Sequence, residues 1–379
     1  MFLERKIYDQ DHEIFRDAVR RFLEVEAVPF HRQWEANGET PRTFWRKAGE
    51  QGLLCSQVPE AYGGAGADYR YLCVVNEVAQ YSGITGPCFA IHSDIVADYV
   101  LQFGTENQKR SWLPRMVSGE VIGAIAMTEP GTGSDLHSIA TTARRDGDHY
   151  VLNGAKVFIT NGWIADLFIV AARTVGDGAA EGISLFLVEF GAAGFTKGRK
   201  LEKMGMKAQD TAELFFSDVR IPAANLLGGE GQGFDIMQKS LPQERVSIGV
   251  IAMSASQRAF DMTVDYVKER RAFGKRIFDF QNTKFVLADL KTRIQAGWTL
   301  LDQCLVALEN GTLTSEQAAM VKLYASELQG EVVDSCLQFF GGYGYMDEYP
   351  ISRMYTEARV QRIYGGTSEI MKQVIGRSI

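Results

Sequence analysis

Cysteine is scarce in this 379-residue chain. Cys55, Cys73, Cys88, Cys304 and Cys336 are odd in number and widely scattered, with no C-x-x-C pair and no Cys/His cluster. A disulfide framework and a structural zinc are therefore not indicated, and a reduced, cytoplasmic setting is expected. Proline is also sparse, at 9 residues, so the 38 glycines do not belong to low-complexity sequence. They read instead as tight turns and close backbone approaches. Positive charge is in deficit: 40 Lys and Arg against 47 Asp and Glu leave a net charge of −7. Such a chain is a poor general partner for nucleic acid, and any anionic ligand must meet a local basic cluster. Long hydrophobic runs are missing. Leu167–Ala172 in the middle of the chain falls far short of the ~20 apolar residues that span a bilayer. The opening MFLERKIYDQDHEIF has neither the apolar centre nor the small-residue cleavage site of a secretory signal.

Several signatures are absent as well. No G-x-G-x-x-G follows a strand, and G-x-x-x-x-G-K-[ST], H-E-x-x-H and G-x-S-x-G do not occur. The five histidines stand alone. Rossmann and P-loop nucleotide sites, zinc hydrolysis and a Ser–His triad are not indicated, and no metal site is expected.

What is present is ordinary globular composition, 46% apolar and 23% charged, which excludes intrinsic disorder. The length exceeds one core, so two or three domains are expected. Hydrophobic period divides the chain. Ile14, Phe15, Ala18, Val19, Phe22 and Leu23 mark an amphipathic helix before Pro29. Thr40-Pro41 reads as an N-cap with Pro at the first helical position, opening 44–51. Residues 71–81 read as a third helix, and Thr105 to Gln108 as a capping box opening a fourth. From about 120 to 225 the pattern becomes short β-type runs at 121–127, 150–160, 167–173, 183–190 and 212–216. Asp146-Gly147, Asn153-Gly154, Asn161-Gly162 and Asp177-Gly178 punctuate them. Helical period returns at 233–270, 281–309 and 314–340, and Thr367 reads as the N-cap of a last helix. The expectation is an α+β chain with an N-terminal helical domain (1–120), a central antiparallel β domain (121–230) and a C-terminal helical domain (231–379).

Four segments carry possible chemistry, each beside a plainer reading. Met127 to Asp135, MTEPGTGSD, combines turn-forming glycines with hydroxyls, suited to a phosphate or polar heterocycle; otherwise it is a strand-to-loop turn. Lys268 to Arg276 crowds five basic residues into nine positions, suited to phosphate; otherwise it is a solvated helix end. Glu244 in LPQER is a first-turn helix carboxylate favoured by the dipole, or, if buried beside Arg245, a candidate base. Gln338 to Tyr345 and Ile363 to Ile370 contain paired glycines and a helix start able to face a ligand; otherwise they are helix-ending glycines and a cap.

The order of these segments is more specific than any one of them. MTEPGTGSD (127–135), KVFITNG (156–162), KMGMKAQDT (203–211), RRAFGKRI (270–277), QFFGGYGY (338–345) and RVQRIYGGTSEI (359–370) together resemble the acyl-CoA dehydrogenase family over essentially the whole chain. That resemblance implies a C-terminal four-helix bundle, bound FAD, a coenzyme A thioester substrate and a homotetramer built as a dimer of dimers. It also implies electron-transferring flavoprotein as electron acceptor. It places Ile125, Thr128, Gly133, Ser134, Phe158, Ile159, Thr160, Thr367, Ser368 and Glu369 at the cofactor. Arg270, Phe273, Gln281, Gln338, Gly341 and Gly342 would reach the FAD of a neighbouring subunit. Ser134, Asp235, Gln243, Arg245, Tyr364, Gly365 and Gly366 would hold the thioester.

One departure is informative. Many members read Tyr-Glu-Gly-Thr where this chain reads Tyr364-Gly365-Gly366-Thr367, and in them that Glu takes the substrate proton. Long-chain and isovaleryl members that resemble this chain carry Glu just before the bundle-helix Arg instead, as in Glu244-Arg245. The resemblance thus implies Glu244 as base, the Gly365 N–H as oxyanion donor, and flavin N5 as acceptor of the Cβ hydride. The expected reaction is dehydrogenation of a medium- to long-chain acyl-CoA to the trans-2-enoyl-CoA. Small residues at Gly83, Gly86 and Cys88, in the segment corresponding to the family's tail-lining region, either leave room for the chain or only permit close helix packing. Rival readings are an isovaleryl-type dehydrogenase, a carrier-protein-linked dehydrogenase, an acyl-CoA oxidase, a non-catalytic FAD and acyl-CoA binder, and a purely structural helical protein.

Overall fold

The computed structural model describes residues 2–176, 180, 182–377 and 379; the expected turn at Asp177-Gly178 lies outside them. The N-terminal part is helical: α1 Gln10–Glu26, α2 His31–Asn37, α3 Arg42–Glu50, α4 Tyr69–Ser82, α5 Ala97–Phe103 and α6 Glu106–Val117. The expected capping box is formed: Thr105 Oγ1 accepts the Gln108 N–H while Gln108 Oε1 accepts the Thr105 N–H. A turn of π-helix, Ala90–Val96, runs directly into α5. It lay outside the periodic pattern because π winding breaks the 3.6-residue repeat. Such segments are frequent at functional sites.

The middle part is one sheet of β1 Gly123–Ala126, β2 Thr142–Asp146, β3 His149–Thr160, β4 Leu167–Val175, β5 Ile183–Glu189, β6 Phe195–Lys200, β7 Thr211–Pro222 and β8 Leu226–Leu227. The order β6-β7-β3-β2-β4-β5-β8 is mostly antiparallel. The expectation of antiparallel pairing needs one correction. β1 and β2 both pair in parallel with β4, β1 at 167–170 and β2 at 173–175. They share one edge of β4 in succession, and the segment 127–141 leaves the sheet between them. β2 and β6 escaped the sequence reading because Arg144, Arg145, Lys197 and Arg199 mask their alternation. Asn153-Gly154 is a bulge within β3 and not a turn. Gly154 has φ +151°, and a Cβ there would stand 2.4 Å from Thr141 Oγ1.

The C-terminal part is α7 Gly233–Glu269, the hairpin β9 Arg271–Ala272 and β10 Lys275–Arg276, α8 Gln281–Glu309, α9 Ser315–Phe340, α10 Pro350–Ala358 and α11 Ser368–Gly376. Helices α7, α8 and α9 bury a core of their own around Val250, Met253, Ile294, Leu301, Ala325 and Val332. A second core joins the N-terminal helices to the sheet. Two such cores suit a chain of this length. No helix among the described residues is long and apolar enough to cross a membrane.

Candidate active site

Glu244 lies in the fourth turn of α7, which starts at Gly233. The first-turn reading is thereby removed: the helix dipole does not explain this carboxylate. Its side chain is buried at 8% exposure. Its hydrogen-bond partner is Tyr99 of α5, whose hydroxyl donates to Oε1 at 2.9 Å. It makes no ion pair among the described residues. Burial pushes the Glu244 carboxyl up to about 7; the Tyr99 hydroxyl and Arg245 pull it down, and Asp98 pushes it further up. A carboxyl so placed can take or give a proton near neutrality.

Arg245 is buried too, and its Nε has no hydrogen-bond partner. Burial holds its guanidinium below the usual range, with Glu244 opposing. Buried guanidinium groups are normally paired, so an unmatched donor here suits an anionic or polar ligand.

One helical turn on from Glu244, Ile248 meets the 364–367 turn: a Cβ built on Gly365 would stand 2.3 Å from Ile248 Cδ1. Gly365 and Gly366 have φ +62° and +95°, a backbone that side chains disfavour. Lys322 of α9 donates from Nζ to the Gly366 carbonyl at 2.7 Å. Thr367 caps α11, its Oγ1 accepting the Ile370 N–H. Ser368 is turned inward, its hydroxyl donating to Glu327, while Glu369 is exposed. Tyr364 donates to Gln361 Oε1 at 2.6 Å. The carboxylate on α7 and the two-glycine turn thus share one locus.

The sheet contributes a second set. In β3 the register with β7 shifts between Lys156 and Ile159. At the shift the Val157 N–H donates to the Thr128 carbonyl at 3.0 Å, so MTEPGTGSD and KVFIT are joined by main chain. The bulge turns Phe158 outward, at φ +60° and 68% exposure. Bulges commonly re-aim a side chain in this way. The Ile159 side chain is buried in the core, its carbonyl accepts the Gly162 N–H at 3.0 Å, and it pairs with Ala212 of β7. Ile125, Thr128 and Thr160 are half-buried, and Gly133 and Ser134 exposed. Glu129 is not available: its carboxylate accepts Lys156 Nζ and the N–H groups of Ala140 and Thr141. Lys156, fully buried, also donates to the Met127 carbonyl at 2.9 Å. The loop is therefore shaped by an internal ion pair. Gly131 and Gly133, like Gly341 and Gly342, have nothing within 4 Å of a built Cβ. Gly341 ends α9 at φ +55°, which itself favours glycine; at Gly131, Gly133 and Gly342 no contact within the chain demands glycine, whereas close approach by a bound group would.

Other expected residues stand apart. Asp235 is exposed in the first turn of α7. Gln243 donates to the Asp94 carbonyl at 2.9 Å. Arg270 is 26 residues beyond Glu244, about 39 Å along a straight helix. It lies over the Tyr343 ring at 5.7 Å, which brings it close to Gly341 and Gly342. Phe273 tips the β9–β10 hairpin, 94% exposed. Gln281 and Gln338 are exposed. Arg270 and Phe273, at and beyond the far end of α7, stand away from the Glu244 locus of their own chain.

An enclosed cavity lies beside Tyr364, lined also by Asn76, Thr85, Cys88, Ala90 and Ile251. Ile251 is seven residues after Glu244, on the same helix face. Gly83 and Gly86 do not widen it. Gly83 is the left-handed C-cap of α4 at φ +77°, and a Cβ on Gly86 would meet Thr40 at 2.5 Å, so the first serves the turn and the second packing. A larger cavity of about 730 Å³ lies between α2, 204–207 and α9–α10, against about 20 Å³ beside Tyr364; Glu244 lines neither.

Sequence reasoning missed Tyr99 and Lys322. Neither sits in a motif, and their contacts are 145 and 44 positions away in sequence. A lysine on the inner face of a helix was the one available signal.

Comparison with known proteins agrees with this geometry. The acyl-CoA dehydrogenase N-terminal, middle and C-terminal domains match residues 9–120, 124–219 and 231–379. The chain is 52% identical over 377 residues to the long-chain specific acyl-CoA dehydrogenase, mitochondrial, of Sus scrofa, covering 99% of this chain and 88% of that protein. It superposes on the crystal structure of acyl-CoA dehydrogenase from Geobacillus kaustophilus with TM-score 0.96 and 47% identity, covering 99% of each. A glutaryl-CoA dehydrogenase from Mycobacterium smegmatis, solved in complex with FADH2, matches with TM-score 0.92 and 28% identity over 98% of this chain and 95% of that one. With all three domains matched in order, and a carboxylate and a two-glycine turn meeting in the bundle, the chain belongs to the acyl-CoA dehydrogenase family of oxidoreductases.

Proposed function

We propose that this protein catalyses FAD-dependent α,β-dehydrogenation of medium- to long-chain acyl-CoA thioesters, with Glu244 as the base. The carrying observation is a buried carboxyl with a single hydroxyl partner, held near neutrality and one helical turn from the residue that touches Gly365. Bound FAD supplies the two-electron acceptor, chemistry that side chains lack. The open glycines 131 and 133, the hydroxyls of Thr128, Ser134 and Thr160, and outward-turned Phe158 fit such a group, and Gly341 and Gly342 would meet that of a neighbouring subunit. Thr367 and Glu369 border it from α11.

The chain's own residues then do three things. Glu244 takes the Cα proton onto its carboxylate. The Gly365 N–H stabilises the thioester oxygen as negative charge develops, a donor of a kind worth roughly 3–4 kcal/mol. Arg245, whose Nε is unmatched, holds the thioester, with Ser134, Gln243, Tyr364 and Gly366 bordering it and Asp235 further along α7. The acyl chain beyond Cβ is directed toward Cys88, Ile251 and Tyr364, where the free space is about 20 Å³, so side chains there move aside to admit a long chain. Long-chain naming of the relatives at 52% identity supports medium to long chains over isovaleryl-type substrates. Electron-transferring flavoprotein is the proposed acceptor. A homotetramer is the proposed assembly, with Arg270, Phe273, Gln281 and Gln338 serving the FAD of a neighbouring subunit.

The test is anaerobic titration of the holoenzyme with acyl-CoAs of graded length, watching flavin absorbance, for wild type and Glu244→Gln. Loss of a general base is expected to slow reduction by ~10²–10⁴-fold. An unchanged rate in Glu244→Gln overturns the assignment. Activity confined to short branched thioesters refutes the chain-length reading, and rapid reaction of the reduced enzyme with oxygen identifies an oxidase.

A further inference from the structure

We propose that Lys322 is a positioning residue for the reaction: it pins the Gly365–Gly366 turn so that the Gly365 N–H stays aimed at the thioester oxygen. This rests on the reading of Glu244 and Gly365 above.

Lys322 lies in α9 with 0% exposure. Its Nζ donates to the Gly366 carbonyl at 2.7 Å, and it makes no ion pair among the described residues. Burying an ammonium group without a carboxylate is costly, and an apolar side chain of the same length would serve packing better. The group therefore needs a reason, and the carbonyl it holds supplies one. Gly365 and Gly366 are both in the left-handed region, so the main chain is at its most pliable where the oxyanion donor sits. The Gly366 carbonyl is two peptides downstream of the Gly365 N–H. Pinning it removes the freedom of the intervening dihedrals. The downstream side of the turn is fixed independently, by the Thr367 cap and the Ser368–Glu327 bond. Lys322 holds the carbonyl between that cap and the two glycines, while the upstream side is held by the Ile363 and Tyr364 N–H groups on the Val360 carbonyl. Charged groups facing it are Arg245 on α7, Glu327 on α9 and Glu369 on α11. The lysine also leaves the ammonium positive charge close behind the turn, of a sign that favours a developing oxyanion.

A tether that served only folding would affect stability alone. A positioning role affects chemistry at constant binding. The holoenzyme of Lys322→Met is compared with wild type in two measurements. The first is anaerobic flavin reduction by a saturating acyl-CoA. The second is equilibrium binding of a 3-thiaacyl-CoA, whose sulfur at the β position cannot give up hydride, so that only Cα ionisation is read, as a long-wavelength band against pH. We expect reduction to slow by roughly 10- to 100-fold, somewhat less than loss of the donor itself. We expect acyl-CoA affinity to change less than threefold and the ionisation of the bound analogue to move to higher pH. Lys322→Arg, which keeps a charged donor, is expected to recover part of both effects. Unchanged rate and unchanged ionisation in Lys322→Met overturn the proposal, as does a fall in melting temperature or FAD content without the ionisation shift. If Lys322→Met does not fold, Lys322→Gln is read by the same two measurements. If the wild type itself is not reduced by any acyl-CoA, the Glu244 reading has failed and this one falls with it.

Discussion

At the scale of the single residue, the chemistry turns on the state of one proton. Burial raises the Glu244 carboxyl from 4.5 to about 7, so the rate of flavin reduction by acyl-CoA should rise with pH through an acid limb near neutrality. Tyr99 donates to the carboxylate and so favours the charged form. Tyr99→Phe should move that limb to higher pH; a limb that stays in place, read by stopped flow across pH, contradicts the hydrogen bond's role. Stability should change in the opposite sense. The folded chain holds this proton to higher pH than the unfolded chain does. The folded state therefore loses stability as pH climbs from the ordinary carboxyl range through neutrality, by up to about 3 kcal/mol. Glu244→Gln should thus melt higher than wild type at pH ~8.5 and alike at pH ~4, where the native carboxyl is also neutral. Adding Gly365→Glu to the Glu244→Gln variant would restore a base only if Ile248 gives way. Ile248→Val removes the Cδ1 atom that stands 2.3 Å from a built Cβ, so the triple variant should regain more bleaching than the double. Glu244 was legible in the sequence because it precedes an arginine in a stretch that resembles known relatives. Tyr99 was not legible, because nothing local marks a hydroxyl that meets its partner 145 positions away.

At the scale of the element, the loop 127–141 is informative. Its glycines and hydroxyls suggested a ligand cradle, but composition did not reveal what holds the cradle open. The answer is topological. β1 and β2 share one edge of β4, and the chain must leave and rejoin that edge. Lys156 and Glu129 fix the excursion, with side chains at 0% and 6% exposure. Burial pulls Lys156 down to about 8, against the attraction of Glu129. Removing one partner of a buried pair typically costs about 3–5 kcal/mol, because the other charge is stranded. Lys156→Met should therefore lower the melting temperature and weaken FAD retention together. Glu129→Gln combined with Lys156→Met should recover stability relative to Lys156→Met alone. A Lys156→Met protein that keeps full FAD through gel filtration would show that the loop does not depend on the pair. Parallel pairing of β1 and β2 was beyond the sequence reading because alternation reports which face a residue takes, not which strand lies beside it. The long bundle helices were legible to within a residue or two, since their apolar period runs for many turns.

At the scale of the whole molecule, helical, β and helical regions follow one another as the change of period indicates, and the two cores explain why. What one chain cannot account for is its most exposed aromatic side chain. Phe273 sits on a two-residue turn with its own φ at +51° and that of Gly274 at +79°. It is 94% exposed and stands at the end of α7 remote from Glu244. The surrounding Arg270, Arg271, Lys275 and Arg276 are exposed as well, although Arg276 is paired with Asp279. A strained backbone that presents a bare ring amid positive charge is costly unless something covers it. A neighbouring copy carrying an anionic dinucleotide matches both the ring and the charge. Phe273→Asp puts a carboxylate where that copy's pyrophosphate and aromatic surface would lie. The variant should bind FAD less tightly and dissociate to smaller assemblies at concentrations where the wild type stays intact. Glu244 and its Tyr99 hydrogen bond, within one chain, would remain correctly built. Sedimentation velocity and the flavin-to-protein ratio, measured over a dilution series, read both effects. A variant that keeps wild-type mass and full flavin on dilution would place the hairpin outside any cofactor contact between subunits.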